Sequence, residues 1–350
     1  MVLCDPRGLR AGTREIARAF EGVGKAFRLI RAVSPSYDLD KPEVPMRFSA
    51  RVVAAAAVLV SASFAGEAFA ANKSLAAAKD NLPSDIDIVA SADLKGIRAT
   101  PFFGTILPIA LGASGAQKGL DKVKKTCGFD PFTAIDDVTV GLNDTNKGVI
   151  FIGMGISESK FTSCVVDLAK QEAGKDVTTS KSGNEITFDG AGKKLFVMWL
   201  PGDVAAIASE PTDEATLKKL TGGAGALKNA PIASWLSQTD ADAVLLGAVT
   251  RTVTQNVLTM NAAMFSVTDK SGNINAKLAL DVGSASDAEM AARGAGLLSG
   301  LLGPKNPPAE LERLIKSLDV KASGSTVMAK ASTTEGDLLK IIDWAMKGMP

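Results

Sequence analysis

Residues 135–158 read IDDVTVGLNDTNKGVIFIGMGISE, and the order of residue types there sets the fold class. Two apolar runs, IDDVTVGL and GVIFIGMGI, flank the turn-rich NDTNKG, which predicts two antiparallel strands joined as a hairpin. Ser157 then stands where a helix cap belongs. Beyond it Phe161, Cys164, Val165 and Leu168 recur at i, i+3, i+4 and i+7, the stripe of a helix that buries one face. A hairpin followed by a helix that lies back on it is an α+β unit.

Working outward, the same grammar repeats. DIDIVASADL (85–94) alternates as a half-buried strand, QKGLDKVKKTC (117–127) has helical spacing, and NEITFDG and KLFVMWLPGDVAAIAS supply further strands. DEATLKKL, with Thr212 as its cap, closes a first half. The segment 71–81 reads as a polar lead-in, and TGGAGALKNAP (221–231) as a linker. Past it come DAVLLGAV, the strand–turn–strand MFSVTDKSGNINAKLALDV, a helix opened by a Ser286–Glu289 capping box, and a helix after Pro307. VKASGSTVMAKA follows and resembles TSKSGNEITF of the first half; Thr334 and Asp337 then open a last amphipathic helix. The recurrence predicts two tandem related α+β modules, 71–220 and 228–350, built of antiparallel sheets with helices packed on one face. The hairpins at 143–148 and 269–273 should then hold equivalent places.

The chain upstream has another character. MRFSARVVAAAAVLVSASFAGEAFAA (46–71) has a short positive start, an apolar run and a small-x-small end, the order of a secretory signal peptide. Its core is shorter than the roughly 20 residues of a membrane-spanning helix. Cleavage is expected between Ala70 and Ala71; the alternative is an uncleaved anchor. Residues 1–45 are read as a non-native leader from a start assigned too early. The competing reading of that leader is a basic amphipathic helix. The protein is therefore expected in the periplasm or outside the cell, with no stable membrane span after cleavage.

Composition narrows the chemistry. The part through Ala70 holds 10 of the 39 Lys and Arg and 7 of the 38 Asp and Glu, leaving a net charge of −2 on the remainder. That balance carries no footprint for nucleic acid. The chain has no histidine, which removes Ser-His-Asp and Cys-His nucleophiles, HExxH zinc sites and imidazole proton shuttles. Beyond Cys4 the cysteines are Cys127 and Cys164, most simply a disulfide in an oxidising compartment, the alternative being two buried thiols. Such a bridge is worth roughly 3–4 kcal/mol in the chain-entropy account.

Other candidates read as structural. Gly153 and Gly155 follow a strand as in a dinucleotide fingerprint, but Glu158 stands where the third glycine belongs. Asp136 and Asp137 are neighbours on a strand and should point to opposite faces. Asp240 and Asp242 could share a face or a calcium ion, yet precede a strand as turn residues do. AGKKLF and GASGAQKG read as a turn and a linker. No catalytic, metal-ligating or cofactor-binding residue is expected, and no cofactor.

The pieces LPSDIDIVASADL, CGFDPFTAIDDVTVGL, the cysteine in the helix after the hairpin, and LKNAPIASWLSQTDADAVLLGAV resemble exported bacterial two-module proteins of unknown function. The resemblance implies a secreted α+β scaffold with two related halves and no active site to carry over. Together these readings predict an exported, soluble, non-enzymatic protein, a binding or envelope-associated interaction scaffold. The alternatives are a His-free hydrolase using carboxylates or Ser/Lys, and a carrier of apolar ligands. The partner is accordingly an unknown protein or an apolar small molecule.

Overall fold

The computed structural model describes residues 72–100, 117–143, 148–173, 177–190, 193–208, 213–255, 258–301 and 308–347. The readings of 1–45, of 46–70, of the Ala70–Ala71 junction, of the segment after Pro101 and of the Thr212 cap lie outside them. In chain order the elements are α1 (Lys73–Asn81), β1 (Ile86–Ala92), α2 (Leu94–Arg98), α3 (Gln117–Cys127), α4 (Pro131–Ala134), β2 (Ile135–Asn143), β3 (Gly148–Met154) and α5 (Glu158–Ala173). Next come β4 (Thr178–Ser182), β5 (Glu185–Gly190), β6 (Lys193–Leu200), β7 (Val204–Ala208), α6 (Glu214–Thr221), a 3-10 turn (Ala226–Asn229) and α7 (Pro231–Leu236). The remainder is β8 (Leu245–Val249), β9 (Val253–Gln255), β10 (Leu258–Met260), β11 (Ala262–Lys270), β12 (Asn273–Asp281), α8 (Ala285–Leu301), α9 (Ala309–Lys316), β13 (Asp319–Ser323), β14 (Thr326–Thr334) and α10 (Glu335–Lys347).

Twelve strands form one sheet in the order β13-β14-β12-β11-β8-β1-β2-β3-β7-β6-β5-β4, and β9 and β10 pair separately. Every pairing is antiparallel, so the α+β class read from the hairpins is the observed one. The sheet is continuous: β1 pairs with β8 over Ile88–Ala92, a seam between a strand that precedes residues 221–231 and one that follows them. Outward from the seam the order is β1-β2-β3-β7-β6 on one side and β8-β11-β12-β14-β13 on the other. The hairpins β2–β3 and β11–β12 hold the same place in these orders. VKASGSTVMAKA and TSKSGNEITF both form hairpins, β13–β14 and β4–β5, but at different places in the order: β13–β14 stands where β6–β7 stands, and β4–β5 lies beyond it at the edge.

Helices pack on both faces, not on one. The neighbouring strands β3, β7 and β6, with VIFIGM, VAAIA and LFVMWL, are apolar at consecutive positions and must be covered on both sides. On the front face α1, α6 and α7 cover Val89, Val149, Phe151, Ala206, Ala208, Leu246, Ala248 and Met264, which form the largest core. On the back, α5 covers Ile186, Phe188, Val197, Trp199, Ala205 and Ile207 at one wing. At the other wing α2 and α10 cover Val267 and Ile274, and α8 covers Val327.

Two segments read as loose are part of the core. The lead-in is α1, whose Ala77 and Ala78 are buried. In the linker, Leu227 and Ala230 are buried in the front core. Gly223 lies so close to the Leu82–Pro83 backbone that a Cβ there would meet the Leu82 carbonyl oxygen at 2.1 Å. Caps also moved. Ser284, not Ser286, accepts the Asp287 N–H at 3.1 Å, and its hydroxyl donates to Asp287 Oδ2 at 2.7 Å. Asp213 caps α6 by accepting the Thr216 N–H at 2.7 Å.

Candidate functional site

Antiparallel register places paired residues on one face, so the back face can be read row by row across the strands. One row runs Ile150, Val140, Ala90, Gly247, Phe265, Leu278. A second runs Leu142, Ile88, Val249, Ala263, Leu280, and a third Ile152, Val138, Ala92, Leu245, Val267, Ala276. Every side chain in these rows is apolar. The first row crosses five strand spacings, about 24 Å.

Ile152 belongs to the core under α5, Ala92, Leu245, Val267 and Ala276 to the core under α2 and α10, and Leu280 to the core under α8; the rest of the rows belongs to none of them. Ile88, Ala90, Val138, Val140, Ile150, Val249 and Phe265 are half-buried, and Leu278 is 39% exposed. The front row on the same strands is Ala208, Val149, Gly141, Val89, Ala248, Met264, Ala279. Apart from the glycine, each of those side chains is in the front core, none more than 4% exposed. One sheet thus has a sealed front and an apolar back floor between two helical walls. The Phe265 ring lies over Gly247, where a Cβ would meet Cε1 at 2.5 Å. The glycine lets the ring lie flat against the floor.

The front face holds the densest polar cluster. Asp137, 4% exposed, accepts the Lys73 N–H at 3.1 Å and the Ser74 N–H at 2.6 Å, while Asn72 accepts the Leu75 N–H at 2.8 Å. The donors that a helix leaves unpaired at its start are thereby met, and the carboxylate sits at the positive end of the helix dipole. Thr139 Oγ1 lies 2.7 Å from Ser74 Oγ and 2.8 Å from Ser91 Oγ, and Asn72 Nδ2 donates to Ser91 Oγ at 2.7 Å. Asp136 turns the other way to Lys73 Nζ, 3.1 Å away, and that amine also donates to the Met154 carbonyl at 3.2 Å.

Serine, lysine and carboxylates meet here, as a His-free hydrolase would require. Yet Ser74 is fully buried and its hydroxyl is held by Asn72 and Thr139. A substrate has no path to a nucleophile placed there. Nearby, burial pushes the Asp93 carboxyl above the usual range although it caps α2 through the Gly96 N–H, and burial lowers Arg98.

The remaining sequence candidates have structural partners. Asp240 Oδ2 accepts from Ser266 at 2.6 Å and Asp242 pairs with Lys270 at 2.9 Å, so each carboxylate has a protein partner of its own. Gly153 is small because the Asp137 carboxylate folds over it: a Cβ would stand 2.5 Å from Oδ1. Among the described residues no group of three or more His, Cys, Asp or Glu could hold a metal. No helix among them is long and apolar enough to cross a membrane. Cys127, at the end of α3, and Cys164, on the buried side of α5, stand at disulfide distance, with Cα atoms 4.8 Å apart.

Sequence reading missed the back floor and one buried carboxyl pair, Asp269 with Glu335. The alternation of β1, β2 and β8 signals two apolar faces, but not which face the described helices flank rather than cover.

No protein-family model matches the chain, and no curated protein matches it. Among solved structures it is similar to crystal forms III, I and IV of TP0453, at 9%, 10% and 10% identity and TM-scores of 0.41, 0.37 and 0.40. These matches cover 75%, 75% and 76% of this chain and 95%, 94% and 95% of those.

Proposed function

We propose that this is an exported, non-enzymatic binding protein of the cell envelope that receives an alkyl chain on the back floor of its sheet. The observation that carries this reading is the half-buried set Ile88, Ala90, Val138, Val140, Ile150, Val249 and Phe265: aliphatic side chains and one phenylalanine, incompletely covered, between walls made by α5 and by α2 and α10. The strands beneath that floor are paired on both sides. They offer no free backbone edge to an added strand, and the rows offer no polar group to a peptide. An alkyl chain brings no backbone donors or acceptors that would be left unpaired on such a surface. Export rests on the signal-peptide order at 46–70, with cleavage between Ala70 and Ala71, and on the Cys127–Cys164 pair. The two modules, 71–220 and 228–350, are part of the same proposal and rest on the matching strand orders.

The test uses purified chain beginning at Ala71 and the fluorescent probe N-phenyl-1-naphthylamine, displaced by hexadecanoate. Val140→Asp and Val249→Asp should each weaken binding at least tenfold, and Val140→Thr less, with far-ultraviolet circular dichroism unchanged. Equal affinity in all three folded variants, or no probe binding by the wild type, would remove the reading. Crosslinks from the floor to residues 101–116, which join α2 to α3, would do the same by showing the chain's own apolar segment in place. Mass spectrometry of native protein should find Ala71 first and no free thiol before reduction.

A further inference from the structure

The turn between β11 and β12 and the start of α10 meet at two carboxyl groups. Asp269 is 3% exposed; its Oδ1 accepts the Gly272 N–H at 2.8 Å, and its Oδ2 is buried with no hydrogen-bond partner. Glu335, the first residue of α10, donates its N–H to the Gly272 carbonyl at 3.0 Å, and its Oε1 is likewise buried without a partner. The backbone thus brings two carboxyl groups together at one turn, each with one unmet oxygen. Among the described residues of the surrounding elements, Lys270 pairs with Asp242, Arg313 with Asp337 and Lys340 with Glu310, Lys277 donates to the Gln238 carbonyl and Arg98 to the Ile135 carbonyl, while Asp240 accepts from Ser266.

Two ionised carboxylates in such a place would repel with no cation to offset them, whereas one shared proton turns the contact into a hydrogen bond. We propose that Asp269 and Glu335 share a proton and form a pH-sensitive latch that ties α10 to the β11–β12 turn and loosens when the proton leaves. Burial and the neighbouring carboxyl push Asp269 up to about 6, and burial raises Glu335. The two titrate as a pair, so this behaviour belongs to the dyad. Leu338, Ile341 and Ile342 of α10 are buried, and Leu338 and Ile342 belong to the core that contains Val267 and Ile274. The latch therefore controls one wall of the back floor, and it stands whether or not that floor binds a ligand.

The sign follows from linkage. A carboxyl whose closed-state affinity for a proton is raised favours the closed state below its ordinary pKa, near 4, and that advantage is lost as pH rises through about 6. Opening of α10 should therefore increase by up to about tenfold per pH unit between about 4 and about 6, then level off. Glu310 and Asp337, at the α9–α10 contact, are held below the usual range, Glu310 by its own backbone N–H and then Lys340, Asp337 by Arg313. Their effect has the opposite sign and falls at lower pH.

Hydrogen exchange of the 338–342 amides, corrected for intrinsic rates and measured at pH 4.5, 5.5 and 6.5, reads the latch directly. The wild type should show the rising slope, while Glu335→Gln and Asp269→Asn, which keep the shapes and remove the shared proton, should each flatten it. Protection independent of pH in the wild type would overturn the latch. A slope that survives in both variants would also overturn it, by assigning the titration to another group.

Discussion

The two faces of the sheet differ over the same strands. On the front, Val89, Ala248 and Met264 lie in one continuous core beneath helices, and a buried polar cluster centred on Asp137 anchors the first helix to it. On the back, Ala90, Gly247 and Phe265, one step along each strand, line a floor that the described helices flank rather than fill. Both rows are equally apolar, so hydrophobicity does not distinguish them. What distinguishes them is whether another element supplies the covering surface and whether that element's own polar groups are met. On the front they are met: Asp137 and Asn72 accept the N–H groups at the start of α1, which lets a weakly apolar helix lie over strands at little desolvation cost.

Substitutions should separate the faces by size of effect. Phe151→Ala, at a fully buried front position, is expected to cost about 3–5 kcal/mol in urea unfolding, from lost transfer energy and the cavity left behind. Asp137→Ala leaves the Lys73 and Ser74 N–H groups unpaired in the interior. It should cost about 2–4 kcal/mol and release α1 to trypsin at Lys73 or Lys79 before the sheet unfolds. Gly153→Ala pushes a methyl group against the Asp137 carboxylate and should cost about 1–3 kcal/mol. Val140→Thr on the back floor should change stability by less than about 1 kcal/mol while weakening probe binding. A back-face loss as large as the front-face losses would mean that the floor is sealed in solution, and the contrast would fail.

A second contrast sharpens the first. Asp137 and Asp269 are equally buried, at 4% and 3% exposure. Asp137 faces helix N–H donors on both oxygens, whereas Asp269 has one donor and another carboxyl group. Burial is the same for both, but the partners make one an anchor and the other a titrating contact.

The amino-acid sequence by itself determined the strands, their hairpins and the α+β class, because alternation and turn chemistry act over a few residues. NDTNKG between two apolar runs, and Ser271-Gly272 with both φ angles positive between β11 and β12, required hairpins. The apolar stripe of α5 likewise placed Cys164 inward. Tertiary structure decided the rest. α1 is short and poor in large apolar residues, so propensity left it as a lead-in; it holds because distant Asp137 accepts its N–H groups. The β1–β8 seam joins strands far apart in the chain, and no local pattern selects that partner. The meeting of Asp269 with Glu335, and the half-buried back beside the sealed front, depend on where the described helices from remote parts of the chain land. Side-chain periodicity states which faces are apolar, while only the packed arrangement states which of them is covered.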